Sequence, residues 1–176
     1  MQYQKTQTDH ALDAIIQALQ NLPTFNIFAI TDEVTGECAP WYEVKGPDIA
    51  DELVIRESRL AQDIMLVSVK IMEWGRLSAR AQRIWEIEQR RERKWKAHLI
   101  AGKVAAGEKL TEKAMEAIYR AEPKYDEWKA RVERAAEAVN ASQAVLDGFR
   151  AKKEMLKAAV RPAVENGRFN PQFAVP

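Results

Sequence analysis

The hydrophobic pattern of the chain is clearest in residues 60–99, where apolar side chains recur at alternating steps of four and three. This is the a/d pattern of a heptad helix, and no proline interrupts it. The stripe consists of Leu60, Ile64, Val67, Ile71, Trp74, Ser78, Ala81, Trp85, Glu88, Glu92, Trp95 and Leu99, three of which are polar. We therefore expect one long helix from about residue 49 to about residue 105, which would span roughly 80 Å.

A second stripe with the same spacing lies in residues 125–160. It consists of Tyr125, Trp128, Val132, Ala135, Val139, Ser142, Leu146, Phe149, Lys153, Leu156 and Val160. Two matched heptad helices with a connector of roughly twenty residues predict a mainly α fold, built on a long, coiled-coil-like antiparallel helical hairpin. The same pattern would suit two helices that each pair with other subunits, and periodicity alone does not separate the two arrangements.

A small helix is predicted near the N-terminus. Thr8 or Asp9 would be its N-cap, and Pro23 comes just past its end. Its apolar face consists of Leu12, Ile15, Ile16, Leu19 and Leu22. This face could dock a partner, although packing on its own protein or on a sister subunit is favoured.

A β-hairpin could follow this helix. Residues 25–31 and 41–44 are rich in β-branched and aromatic side chains, and residues 32–37 have turn chemistry. Pro40 restricts the second run to a short strand or an edge strand. Since an isolated hairpin is barely stable, it should pack on a helix or on another subunit.

Glycine, proline and capping residues predict the other boundaries. Residues 46–48 predict a break after the β-hairpin and the start of the long helix. Gly102 and Gly107 mark the far end of that helix. Thr111 begins a short helix that continues to about residue 121. The chain then divides into an N-terminal appendage (residues 1–46), the helical hairpin (residues 47–165) and a C-terminal tail (residues 166–176). The two phenylalanines of this tail predict that it docks at least partly.

The net charge of +1 conceals a division of charge along the chain. Residues 1–59 carry four basic and ten acidic side chains, whereas residues 76–103 carry nine basic and three acidic ones. An acidic N-terminal part and a basic band in the long helix suggest two surfaces with different partners.

The basic band predicts one stripe on the outside of the long helix. With Trp74 at heptad position d, five basic residues fall at positions c and f, opposite the apolar stripe. The candidate nucleic-acid-binding residues are Arg76, Arg83 and Arg90 at f, Arg80 and Lys94 at c, and Arg91 and Arg93 beside them. The planar arginine fork suits phosphate, and such a stripe is typical of contact with a nucleic-acid backbone.

Other interpretations of this band stay open. Glu92 would lie within reach of Arg131 or Arg134 in an antiparallel hairpin, so some basic residues could simply pair with carboxylates. Charge alone leaves nucleic-acid contact and a solvated helix face equally open. Trp85 and Trp95 interleave the stripe and could stack on unpaired bases if exposed, although their heptad positions favour core packing.

Composition and motifs exclude several classes of protein. Cys38 is the only cysteine, so neither an internal disulfide nor a cysteine zinc site can form. His10 and His98 are far apart in sequence, and no catalytic or nucleotide-binding motif occurs, so we expect a non-enzyme without metal or cofactor. No signal pattern and no apolar run of about eighteen residues is present, which predicts a cytoplasmic protein without a membrane partner.

The tryptophans predict a homo-oligomer. Four of the tryptophans fall on the two heptad stripes: Trp74, Trp85, Trp95 and Trp128. Such large rings favour the packing of more than two helices against one another. An elongated hairpin also has a high ratio of surface to volume and should expose apolar area that oligomerisation would cover.

The layout of residues 50–161 carries a family resemblance. A mid-helix Trp74-Gly75, the basic run of residues 90–94, a short helix begun by Thr111 and a long terminal helix resemble the UvsY-type recombination mediators of tailed phages. The resemblance implies a ring-forming helical protein that binds single-stranded DNA and helps load a recombinase onto strands coated by single-strand-binding protein. It implies DNA contact by Arg90 to Lys94 and, for a phage-encoded chain, the host cytoplasm.

A structural role is the alternative. The chain could be a coiled-coil adaptor, a scaffold or a nuclease-inhibitor protein of a phage or prophage, and its basic stripe would then meet an acidic protein surface. Salt-dependent binding of single-stranded oligonucleotides would separate the two functions.

Overall fold

The computed structural model describes residues 7–30 and 37–165, which form five α-helices, one 3-10 turn and one two-stranded antiparallel sheet. In chain order the elements are α1 (Gln7–Gln20), β1 (Phe25–Ile30), β2 (Cys38–Val44), α2 (Gly46–Leu53), the 3-10 turn (Glu57–Arg59), α3 (Leu60–Ala105), α4 (Glu112–Arg120) and α5 (Tyr125–Glu165). The expected fold class is confirmed: a mainly α chain with a long helical hairpin, a small N-terminal helix and a β-hairpin.

The helices α3 and α5 pack against each other in antiparallel orientation. Contacts along the pair join Asp63 to Lys152, Ser78 to Gln143, Glu88 to Arg131 and Trp95 to Trp128. As the residue number rises in α3 it falls in α5, so both stripes meet within one chain. The arrangement in which each helix pairs only with other subunits is therefore not the one this chain adopts.

The buried face of α3 is broader than a two-helix interface requires. Trp74 and Ser78, at positions d and a, are buried as predicted, but Leu77 and Ile84 at the neighbouring g positions are buried too. The β-hairpin covers this side of the helix, and Tyr42 approaches Trp74 edge-on with 6.5 Å between ring centroids. The extra burial comes from this third layer.

The helix α1 packs on α2 and α5, so its apolar face serves its own protein. Leu12 and Leu19 are buried in the same cluster as Trp74 of α3 and Phe149 of α5. The hydrophobic core therefore crosses the boundary that was predicted at residue 46.

The N-cap predicted for α1 is wrong. The helix begins at Gln7, so Thr8 and Asp9 are helical residues and not caps. Capping signals locate a helix end only to within one or two residues, because several neighbouring polar residues can serve equally well.

The predicted start of the long helix is also wrong. Helix α3 begins at Leu60, and the turns before it form the separate helix α2. Leu53 is fully buried against Gly148 of α5, and Lys152 Nζ donates a hydrogen bond of 2.6 Å to the main-chain oxygen of Glu52. These contacts hold the end of α2 on α5 and satisfy a carbonyl that the helix end leaves without a partner.

The two-stranded sheet contains one β-bulge, which changes the direction of the Trp41 side chain. Ile27 pairs with Tyr42 and Phe28 pairs with Pro40, so Trp41 between them is an unpaired bulge residue. The second strand begins ahead of the predicted residue 41, whereas most of the predicted turn lies outside the described residues. A bulge turns the strand locally, and here it directs Trp41 toward α3.

The connection after α3 follows the predicted signals. The helix ends at Ala105, and Gly107 has a positive φ of 80°, a backbone conformation that glycine adopts without strain. Thr111 Oγ1 caps α4 by accepting a hydrogen bond of 3.2 Å from the Ala114 amide. The predicted docking of the tail concerns residues 166–176, which lie outside the described residues.

Candidate nucleic-acid interface

The predicted basic stripe lies on an exposed face of α3. Arg76, Arg83 and Arg90 at position f, and Arg80 and Lys94 at position c, all have exposed side chains. Since each residue adds 1.5 Å, the stripe extends about 27 Å along the helix axis. One rigid element therefore holds all five charges in a row.

Most of these cations have no carboxylate partner. Those that form no ion pair within residues 7–30 and 37–165 are Arg76, Arg80, Arg83, Arg90, Arg93 and Lys94. Arg90 Nε donates a long hydrogen bond of 3.4 Å to the main-chain oxygen of Glu86, which leaves its charge uncompensated. An exposed row of unpaired cations creates a positive potential that attracts phosphate groups.

Arg91 is the exception among the seven candidates. Its side chain is 20% exposed, and its Nη1 lies 3.1 Å from Oε1 of Glu88 at the interface of α3 and α5. Arg91 occupies heptad position g, which borders this interface, while Arg93 at b points outward and is exposed. The structure thus keeps six of the candidates on the outer face and turns one inward.

Glu88 is the centre of a buried charged cluster. It is 3% exposed and accepts two hydrogen bonds from Arg131 of α5, at 3.1 Å from Nε and 3.2 Å from Nη2. The sequence had suggested Glu92 as the partner of Arg131 or Arg134, and that pairing is wrong. Glu92 instead accepts from Lys96 at 2.8 Å, because the register of the two helices places Glu88 opposite Arg131.

The thiol of Cys38 faces the same cluster. Its burial, and then the negative charge of Glu88, raise the pKa of the Cys38 thiol above its usual value. A thiol with a raised pKa stays protonated at neutral pH and is a poor nucleophile or metal ligand. Burial and the Glu88 carboxylate therefore make the Cys38 thiol less reactive than an ordinary exposed cysteine.

The tryptophans of the long helices lie mainly between them. Trp95 stacks on Trp128, with ring centroids 6.2 Å apart and planes inclined by 29°, and Trp85 is half-buried. The preference for packing over exposure is confirmed for Trp95. Trp85 and Trp95 are therefore both partly buried and partly accessible.

The aromatic residue that does lie beside the stripe is Trp41, which the sequence analysis did not single out. It is 55% exposed, and the guanidinium of Arg80 sits over its ring at 4.2 Å from the centroid. The local signal was the pair Pro40-Trp41 in an edge strand, since proline there often accompanies a bulge.

The described residues hold neither a metal site nor a membrane-spanning helix. Among residues 7–30 and 37–165, no three histidine, cysteine or carboxylate side chains converge as a metal site would require. In the same ranges no helix combines the length and apolar character needed to cross a membrane. Comparison with protein families, characterised proteins and solved structures found no match to this chain.

Proposed function

We propose that this protein binds single-stranded nucleic acid along the outer face of α3 and acts, as a homo-oligomer, as a recombination mediator that helps load a recombinase. The observation that carries the proposal is the row of exposed cations without carboxylate partners in the described chain. These are Arg76, Arg80, Arg83, Arg90, Arg93 and Lys94. Six like charges on one helix are unfavourable for the free protein, so a polyanion would relieve their repulsion.

Phosphate is the chemical group that fits this face best. The arginine side chains offer planar forks for bidentate contact with phosphate. Because the cations form an extended row, they match the successive phosphates of a nucleic-acid backbone better than a single small anion. Contacts to phosphate carry no base information, so binding should show little sequence preference. Each phosphate neutralised on a single strand contributes about −0.7 to the slope of log affinity against log salt.

Trp41 supports a single strand over a duplex. Its ring is partly exposed at the edge of the stripe and is already paired with the guanidinium of Arg80. Unpaired bases can stack on such an aromatic and arginine platform, while the bases of a duplex are stacked on each other and are not available. A single strand could thus use both the cations and the ring.

The mediator role rests on the resemblance of residues 50–161 to the UvsY-type proteins. A mediator must hold the strand and yet release it to a recombinase, which suits several weak stripes in an oligomer better than one tight site. Linked weak sites gain affinity through effective concentration and exchange one at a time. A recombinase and a single-strand-binding protein are the partners this role requires.

The adaptor role is the second candidate, and one observation favours it. The outer face of α3 is apolar just before the basic stripe, with Met65, Val69 and Met72 each at least 50% exposed. A protein partner with an acidic and apolar surface could cover both parts of this face. Such a partner would compete with nucleic acid for the same arginines.

Binding of a labelled single-stranded oligonucleotide, followed by fluorescence anisotropy across a salt series, tests the proposal. The variant Arg83→Ala/Arg90→Ala removes two exposed cations from the middle of the stripe. We expect weaker binding and a salt slope flatter by about 1.4, since two phosphate contacts are lost. Helix content should not fall, because alanine is the best helix former.

The matched control is Arg150→Ala/Lys157→Ala. These two cations are also exposed on a long helix, at 57% and 61%, but they lie on α5 away from the stripe. The control loses the same net charge and should keep the wild-type affinity and slope. Equal binding by both double variants would reject the stripe as the site and favour the adaptor role.

A further inference from the structure

The β-hairpin forms a wall along one side of the basic stripe. Leu77 and Ile84, at position g of α3, are buried under this hairpin. Around a heptad helix, position c lies between g and f, so the hairpin rises beside the c residues while the f residues lie farther from it. A strand that lies on the stripe would therefore meet cations beneath it and the hairpin on one flank.

Trp41 is the aromatic side chain at the edge of this wall. It is the unpaired residue of the β-bulge, and the Arg80 guanidinium lies over its ring at 4.2 Å from the centroid. Tyr42 makes a second, tilted contact, with ring centroids 6.0 Å apart and planes inclined by 41°. Two neighbours thus hold the ring, and yet 55% of Trp41 is exposed. Because the ring is already held, little conformational entropy is lost when a flat ligand stacks on its uncovered surface.

Two cations flank this ring along the helix. Arg76 and Arg83 lie four residues before and three residues after Arg80, spacings at which side chains of one helix are neighbours. Both are exposed and form no ion pair within residues 7–30 and 37–165. An aromatic surface with an unpaired cation on either side matches one nucleotide, whose base has flat faces and whose two flanking phosphates are negative.

We propose that each chain has a one-nucleotide subsite, in which Trp41 stacks on one unpaired base while Arg76 and Arg83 hold the phosphates on either side of it. Arg80 is a positioning residue of this subsite, because its guanidinium lies on the ring and holds it in place. The subsite rests on the proposed function, since it needs a strand on the stripe. It adds one base contact to an interface of phosphate contacts, and every base has a face that can stack, so sequence preference stays small.

A strand that carries a single base tests the subsite. One probe is a single strand of abasic sugar–phosphate units, and the other is the same strand with one adenine at its centre, so the two have equal length and charge. Isothermal titration calorimetry at low salt measures both affinities without a dye that would itself stack on the ring. From the usual strength of a stack between a base and an aromatic side chain, we expect the adenine to tighten binding at least about fivefold. We call this increase the base gain.

Variants of Trp41 locate the base gain. Trp41→Ala should bind the two strands equally, because the base loses its stacking partner, while binding of the abasic strand and its salt dependence should stay close to wild type. Trp41→Phe retains a smaller ring and should keep part of the base gain. Tyr119→Ala is the matched control, since Lys96 lies over the Tyr119 ring at 5.4 Å in a similar contact on α4, away from the stripe. It should keep the full base gain, and all three variants should keep the wild-type circular dichroism spectrum.

The variant Arg80→Lys tests the positioning role. It keeps the positive charge, so the affinity for the abasic strand and its salt slope should be unchanged. A lysine ammonium lacks the flat surface of a guanidinium and holds the ring less well, so the base gain should fall. Arg93→Lys makes the same exchange at an exposed position of α3 away from the ring and should keep the full base gain. A full base gain in Arg80→Lys would overturn the positioning role of Arg80.

Two outcomes would overturn the subsite itself. One is a wild-type protein that binds the abasic strand and the adenine strand equally, and the other is a full base gain in Trp41→Ala. In either case, salt-dependent binding of the abasic strand would still support the stripe, so a failure of the subsite is distinct from a failure of the proposed function. If neither strand binds to the wild-type protein, both the stripe and the subsite are rejected.

Discussion

At the scale of single residues, Glu88 shows how a carboxylate is accommodated on an apolar stripe. It is 3% exposed, and both its oxygens accept hydrogen bonds from arginine. Arg131 reaches it from α5 and Arg91 from its own helix, so the cluster ties the two helices together at one register. A buried charge is tolerated because it is paired and fully hydrogen-bonded.

The variant Glu88→Gln should be destabilised by about 1–3 kcal/mol, because it removes the charge and leaves two arginine side chains near the interior without a carboxylate. The lower part of the range applies if both guanidinium groups can turn to water, since they are 20% and 28% exposed. Chemical denaturation measures the change in free energy of unfolding. Glu133→Gln is the control, since its pair with Lys129 is well exposed and should contribute almost nothing. Similar changes in the free energy of unfolding of the two variants would mean that the Glu88 cluster contributes no more to stability than an exposed ion pair.

At the scale of helices, two internal glycines serve opposite purposes. Gly75 of α3 has open space where a Cβ atom would stand, so nothing in the described residues requires a glycine there. Gly148 of α5 is buried, and a Cβ at this position would lie 2.7 Å from Leu53 Cδ1 and 3.1 Å from Ile15 Cγ2. The absence of a side chain at Gly148 is what lets α1 and α2 approach α5.

Alanine at these two positions should therefore shift stability in opposite directions. Gly75→Ala should stabilise the protein by about 0.5–1 kcal/mol, since alanine loses less backbone entropy in a helix. Gly148→Ala gains the same propensity but crowds fully buried Leu53, at a cost of about 1–3 kcal/mol. Thermal melts followed by circular dichroism give both signs. A rise in melting temperature for both variants would show that α1 and α2 can move away from α5 without a loss of stability.

At the scale of the whole molecule, the N-terminal elements and the helical hairpin share one hydrophobic cluster. Ile27 of β1 and Val44 of β2 are buried together with Leu77 of α3 and Val145 of α5. The hairpin of α3 and α5 alone would expose these residues to water. The boundary predicted at residue 46 therefore separates segments of the chain that share one core.

We expect the described elements to unfold in one cooperative transition. The far-ultraviolet circular dichroism signal reports mainly the helices α3 and α5. The near-ultraviolet signal reports aromatic rings such as Trp74 and Tyr42, which meet between α3 and the β-hairpin. The two melting curves should coincide, because both depend on the same cluster. An earlier loss of the near-ultraviolet signal would show that the N-terminal elements detach first.

The sequence by itself determined the features that depend on periodicity and local chemistry. The two heptad stripes predicted α3 and α5, and Thr111 and Gly107 predicted the connection between them. The outward direction of Arg76, Arg83 and Arg90 also followed, because residues seven apart share one face of any straight heptad helix. These features are local, so neighbouring residues are enough to specify them.

Only the tertiary structure decided the features that depend on what packs from elsewhere in the chain. The start of α3 at Leu60 depends on contacts of α2 with α5, and the burial of Ile84 depends on the side of α3 that the β-hairpin covers. Arg91 turns inward because Arg131 and Glu88 meet there, and a bulge brings Trp41 to Arg80. At these positions the intrinsic conformational preferences of the residues are compatible with more than one arrangement. Contacts with residues distant in sequence supply the free energy that favours the arrangement observed.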